Sequence, residues 1–211
     1  AYIIRKYLFG TDECNDVAIA IFGIGQTLQK LGSLEKALKV FENFLALKQI
    51  IGDGDQHDVI TALNSTAIIQ REKGKLLEAR STFEKALQSG LAAFRENHPS
   101  LQPTLNNFGS LCFQMGDFNT ALKLYEECLK VQKASLNPSH PDIINTHLNI
   151  AQIHWHAGRF RAAWKVFKEI LSLQVQSTGP TSLAVASTVS SMALIYCQLE
   201  EYEDALELYQ E

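Results

Sequence analysis

The sequence is short of what most functional classes need. Its 4 cysteines, Cys14, Cys112, Cys128 and Cys197, are far apart with no Cys-x-x-Cys spacing. That excludes a dense disulfide framework and a zinc knuckle, and leaves reduced thiols in the cytoplasm as the expectation. A surplus of positive charge is missing too. With 19 basic against 23 acidic side chains, the net charge of -4 offers no long-range attraction to a phosphate backbone or an anionic membrane surface. Neither nucleic acid nor membrane is the expected partner. There is no run of about 18 apolar residues to span a bilayer, and Ala1-Tyr2-Ile3-Ile4-Arg5-Lys6 lacks the ordered regions of a signal peptide.

What the sequence does have is a period. Gly32, Gly74, Gly116 and Gly158 recur at steps of 42, and the next step lands on Glu200. Five residues after each comes Ala37, Ala79, Ala121, Ala163 and Ala205; nine after comes Phe41, Phe83, Tyr125, Phe167 and Tyr209; seven before lie Gly25, Ala67, Gly109, Ala151 and Ala193. Small residues at fixed places on two helices let the helices approach closely, and a ring one turn further fills the space left between pairs. The apolar stripe Leu34, Ala37, Phe41, Phe44, Leu45 and its counterpart Phe118, Ala121, Tyr125, Cys128, Leu129 have helical rather than strand spacing. Pro99, Pro138, Pro141 and Pro180 fall in linkers, with Pro103 in a first helical turn where its missing donor costs little. Each period therefore predicts a first helix ending near the glycine, a tight turn, a second helix and a polar connector. The clearest connectors are Asp53-Gly54-Asp55-Gln56-His57, Glu96-Asn97-His98-Pro99 and Asn137-Pro138-Ser139-His140-Pro141.

This small-x6-Gly-x4-Ala-x3-aromatic pattern is similar to the tetratricopeptide repeat. Thr104-Leu105-Asn106-Asn107-Phe108-Gly109, Thr146-His147-Leu148-Asn149-Ile150-Ala151 and the His-Pro pairs at 98-99 and 140-141 resemble the long repeats of kinesin light chains and nephrocystin-like scaffolds. Phe22-Gly23 and Ser190-Ser191 depart from the asparagine pair. The resemblance implies an all-α fold, a right-handed α-solenoid of antiparallel helix pairs. One array over residues 1–211 is expected, with hairpins at 16–50, 58–92, 100–134 and 142–176 and a truncated fifth at 184–211. Residues 1–9 fall at the phase of a preceding second helix, and without polar capping helices the chain reads as a segment of a longer array.

Carrying the family's inward-facing positions onto this chain selects Asn64, Ser65, Asn106, Asn107, Asn149, Ser190 and Ser191, then Gln26, Ser110 and Gln152, then Lys30, Glu72, Gln114, His156 and Gln198. A carboxamide offers both donor and acceptor, so a row of them suits the backbone of an extended peptide. The alternative is that such side chains solvate an exposed face or bridge neighbouring helices. Basic residues are too sparse at these positions for a clamp on a terminal carboxylate. Arg71, Phe113 and Trp155 lie beside them, as a hot spot or as packing between helices. Arg159, Arg161, Lys165 and Lys168 form a local basic face, able to meet an acidic partner or simply solvated.

Catalytic chemistry is not expected, nor a metal or cofactor. His140, His147, His154 and His156 are close in sequence, but His154 stands at the phase of Cys112 and Tyr196, a half-buried packing position. Gly23-x-Gly25 lies within a helical stretch with no preceding strand, so it is no dinucleotide fingerprint. Cys112 and Cys128 fall on core positions and read as small buried hydrophobes, slow to modify. The leading expectation is a non-catalytic cytoplasmic adaptor that holds a linear motif or partner helix in a groove, as the resemblance to kinesin light chains implies. The alternatives are a structural subunit of a cytoskeletal, ciliary or axonemal assembly, or a regulatory arm of a larger enzyme or receptor.

Overall fold

Left-handed backbone sets the turns. Gly32, Gly74, Gly116 and Gly158 have φ of 72°, 76°, 77° and 69°, a region closed to most side chains, and Glu200 adopts 63° at the same phase. In every case the next residue's N–H donates to the carbonyl five residues before it, as from Ser33 to Leu28, Lys75 to Gln70 and Glu201 to Tyr196. This satisfies carbonyls that the helix end would leave bare and reverses the chain within three residues.

The computed structural model describes residues 2–51, 56–94 and 97–210, with side chains from residue 16 onward. The expected connector at 53–55, Glu96 and the Cys14 side chain lie outside the described residues. The described residues are helical and contain no strand. The chain forms two compact units, Ala1–Leu111 and Cys112–Glu211. Unit 1 holds α1 (Tyr2–Lys30), α2 (Leu34–Ile51), α3 (Gln56–Glu72), α4 (Leu76–Ala93), a 3-10 turn at Pro99–Leu101 and most of α5 (Gln102–Gln114). Unit 2 holds the end of α5, then α6 (Phe118–Ser135), α7 (Pro141–His156), α8 (Phe160–Thr178), α9 (Leu183–Gln198) and α10 (Tyr202–Gln210).

The first helix, α1, runs unbroken from Tyr2 to Lys30. The stretch Gly10-Thr11-Asp12-Glu13-Cys14-Asn15 contains no proline, and a single glycine costs a helix only about 1 kcal/mol.

Within unit 1, Phe22, Phe41 and Phe44 form an aromatic cluster capped by Ala18, Ala37 and Ala62. The small residue at 25 is required by this packing: a Cβ on Gly25 would stand 2.7 Å from the Phe41 ring. Within unit 2, Ala151, Ala163, Phe167, Ile170, Met192 and Ile195 form the core, with Trp155, Phe160 and Trp164 packed against it. All five recurring alanines from Ala37 to Ala205 are buried, as are Phe41, Phe83, Tyr125 and Phe167.

The His-Pro pairs prove to be helix starts. His98 Nδ1 accepts from the Ser100 N–H at 3.2 Å and His140 Nδ1 from the Asp142 N–H at 3.1 Å, each with proline in the following first turn. Ser182, 42 residues beyond His140, accepts from the Val185 N–H at 3.3 Å in the same role.

Candidate protein-binding surface

The sequence-selected polar residues separate by burial into two kinds. In unit 1, Asn64 is only 7% exposed and its Nδ2 donates to Thr104 Oγ1 at 2.6 Å. It braces α3 against α5 within unit 1. Neighbouring residues of a helix face different directions, so Asn64 meets α5 while Ser65 stays half-buried. The Asn64 Oδ1 is buried without a partner among the described residues. Arg71 likewise donates to Ser110 Oγ at 3.2 Å, bridging α3 and α5. By contrast Gln26 is exposed and Asn106 and Asn107 are half-buried.

In unit 2, Asn149, Gln152 and His156 lie three and four residues apart on one face of α7, half-buried at the first and exposed at the other two. Among the described residues the side chains of Asn149 and Gln152 make no hydrogen bond, and Gln114 at the end of α5 is likewise exposed and unbonded. The His156 ring meets Phe113 edge-on at 5.2 Å between centroids, and Phe113 in turn rests on Phe118 at 5.8 Å. The surface of unit 2 thus has a partly exposed aromatic centre with carboxamides beside it. Ser191 on α9 is half-buried, and its hydroxyl donates to the Ser187 carbonyl of its own helix, as Ser190 does to Ala186.

Trp155 belongs to the packing: its ring stands edge-on to Phe160 at 5.5 Å, against the core of unit 2. Cys112 and Cys128 are buried and Cys197 is half-buried. Burial pushes the Cys128 thiol up to about 11, against a smaller opposing hydrogen bond with Thr146. That makes it a poor nucleophile. His154 is half-buried, and burial lowers its proton affinity. Among the described residues no three His, Cys, Asp or Glu side chains come together as a metal site, and no helix is long and apolar enough to cross a membrane.

Tight αL turns joining helix pairs, with small residues at the crossings and rings between them, define an all-α tetratricopeptide-type repeat fold. The sequence model of the tetratricopeptide repeat matches residues 16–89, 100–174 and 142–211, so the chain belongs to the tetratricopeptide repeat family. A comparison with curated protein sequences found no match. Among solved structures the chain is similar to a putative kinesin light chain with nearly identical repeats from Podosopora anserina, at 17% identity over 90% of each chain and a TM-score of 0.76. It is also similar to BtubC (BKLC) from P. vanneervenii, at 16% identity, 94% of this chain, 83% of that one and a TM-score of 0.77. A third is YrrB, a tetratricopeptide protein with an unusual peptide-binding site, at 17% identity, 99% of this chain, 88% of that one and a TM-score of 0.63. Identities this low show the fold. The family is generally non-catalytic, and its fold is that of a scaffold that binds other proteins.

Proposed function

We propose that the chain is a cytoplasmic adaptor that holds an extended peptide motif, or the helix of a partner protein, on the faces of its first helices. The observation that carries this reading is the solvent-facing stripe of Asn149 and Gln152 on α7, ending at His156 against the half-buried Phe113 ring. An extended backbone needs donors and acceptors in alternation, which carboxamides supply, and an apolar side chain of the motif needs an aromatic surface, which Phe113 supplies. Asn106 and Asn107 offer the same groups on unit 1. The fold shared with kinesin light chain-like proteins and with the peptide-binding YrrB supports the reading.

The test is selection of peptides from a random displayed library on the folded chain, followed by titration of the recovered motif. Replacing Asn149 and Gln152 together by alanine is expected to weaken binding about tenfold with helical content unchanged. The pair Asn106→Ala and Asn107→Ala tests unit 1 in the same way. Unaltered affinity in both folded variants rules the surface out. Failure to recover any motif turns the reading toward a structural subunit or a regulatory arm.

A further inference from the structure

Unit 2 contains a cavity of about 440 Å³ on the other side of α7 from the carboxamide stripe. Its walls come from the end of α6 (Lys133), the connector (Leu136, Pro138), α7 (Ile143, His147) and α8 (Glu169, Ser172, Leu173). Ile143 and His147 are one helical turn apart, and their face is nearly opposite that of Asn149 and His156.

The cavity is mostly apolar but is not a simple packing defect. His147 lines it while only 6% exposed, and its Nδ1 lies 3.8 Å from Glu169 Oε2, too far for a hydrogen bond. A polar ring is therefore held against an apolar hollow without a bonded partner among the described residues. The rim is basic. Lys133 stands at one side, and an adjoining opening that shares Glu169 and Ser172 adds Lys165 and Lys168. The two openings thus carry three lysines and one glutamate. Lys168 also lies 5.4 Å from the Trp164 ring centroid, which keeps its ammonium near the helix surface.

We propose that this cavity is a second docking site, one that takes an apolar side chain from a partner's acidic segment while flanking carboxylates of that segment meet Lys133, Lys165 and Lys168. The apolar side chain displaces water from Leu136, Ile143 and Leu173, and His147 supplies a polar contact at the cavity wall. The net positive rim selects the sign of the segment, and the cavity selects an apolar residue within it. Because the site lies on a different face of α7, a partner here and a peptide on the carboxamide stripe bind independently.

The experiment uses the folded, isotope-labelled chain and three capped peptides: Glu-Glu-Leu-Phe-Glu-Glu, the same with lysine for glutamate, and Glu-Glu-Gly-Ser-Glu-Glu. The first is expected to shift the resonances of Ile143, His147 and Leu173, with affinity falling as salt is raised. The double variant Lys133→Glu with Lys168→Glu, both on the exposed rim, should weaken it about tenfold, and Ser172→Trp should block the mouth and abolish the shifts. Equal binding of the lysine or Gly-Ser peptide overturns the proposal. So do shifts confined to Asn149, Gln152 and His156, an unaffected charge variant, or octanoate binding as tightly as the peptide, which would make the cavity a small-amphiphile site.

Discussion

The two units join a second helix to the following first helix by different chemistry at the same phase of the repeat. In unit 1 the position is Gly90, where a Cβ would stand 2.5 Å from Leu101, and the contact is dry. Step 42 residues on, into unit 2, and the position is Gln132, whose Nε2 donates to the Asp142 carbonyl at 3.3 Å. The next is Gln174, whose Oε1 accepts from Thr188 Oγ1 at 2.8 Å in a buried pair. Thr188 itself shares its phase with Thr104, which in unit 1 receives Asn64 instead. The repeat therefore fixes where a side chain projects, while the neighbour it meets decides whether it packs, braces or stays open to a ligand. Dry contacts gain from transfer of apolar surface; polar ones add little net stability yet become costly when half of the pair is removed.

The largest expected effect contrasts one phase in the two units. Phe83 is fully buried in unit 1 and stacks on Phe108 at 5.8 Å, whereas Tyr209 in unit 2 is 52% exposed. Phe83→Ala should cost about 3 to 5 kcal/mol by chemical denaturation, since a cavity is left where a ring stood. Tyr209→Ala should stay within about 0.5 kcal/mol. Equal losses would mean that phase alone sets energy, and the comparison would collapse.

Next is the polar joint. Thr188→Val leaves the Gln174 carbonyl oxygen buried and unpaired, at a cost of about 1 to 3 kcal/mol. Adding Gln174→Leu should recover most of that loss, converting the joint to the dry kind seen at Gly90. If the double variant is as unstable as the sum of the singles, the pair is not coupled and the polar joint does not differ in kind from the apolar one.

Much of this was legible in the residues. Gly32 to Gly158, the alanines five residues on and the rings nine residues on declare themselves because turn, crossing and wedge depend on local spacing. The helical class and the family follow from them. The burial of Asn64 depends on Thr104, forty residues away, and sequence phase does not report which neighbour is within reach. His98 and His140 stand in the sequence as His-Pro signatures; their role as N-caps is signalled by proline in the next position and by Ser182 at the same phase. The unbroken α1 has no such local marker, because neither proline nor a left-handed glycine interrupts the stretch before Lys30. The cavity beside His147 needs three helices and a connector in place, and no linear pattern records it.

A smaller effect tests the turns. Glu200 holds φ at 63° where the turn between α3 and α4 in unit 1 has Gly74 at 76°. Left-handed backbone costs a residue with a Cβ roughly 1 to 2 kcal/mol. Glu200→Gly should therefore raise the unfolding free energy by about 1 kcal/mol, less the greater freedom that glycine has in the unfolded chain. The reciprocal Gly74→Glu should lose a similar amount. A destabilised Glu200→Gly would show that the glutamate side chain contributes something its geometry does not reveal.

The smallest effect is set by protons and falls on unit 2. Burial lowers the proton affinity of His147 below the ordinary 6.5, with Lys133 adding to the shift and Glu169 opposing it; burial does the same at His154, with Arg159 adding and Glu126 opposing. The His154 Nδ1 is also buried with no partner among the described residues, so a cation there has little to replace its hydration. Both groups then bind fewer protons folded than unfolded as pH falls through 6.5. The stability they contribute is complete above that value and is lost progressively toward the depressed folded values. Thermal unfolding followed from about pH 7.5 down to about 5.5, above the range in which ordinary carboxylates protonate, should show the melting temperature falling. Replacing His147 and His154 together by glutamine should flatten that slope even if the variant is less stable throughout. An unchanged slope would place the acid sensitivity elsewhere and remove burial of these rings as its cause.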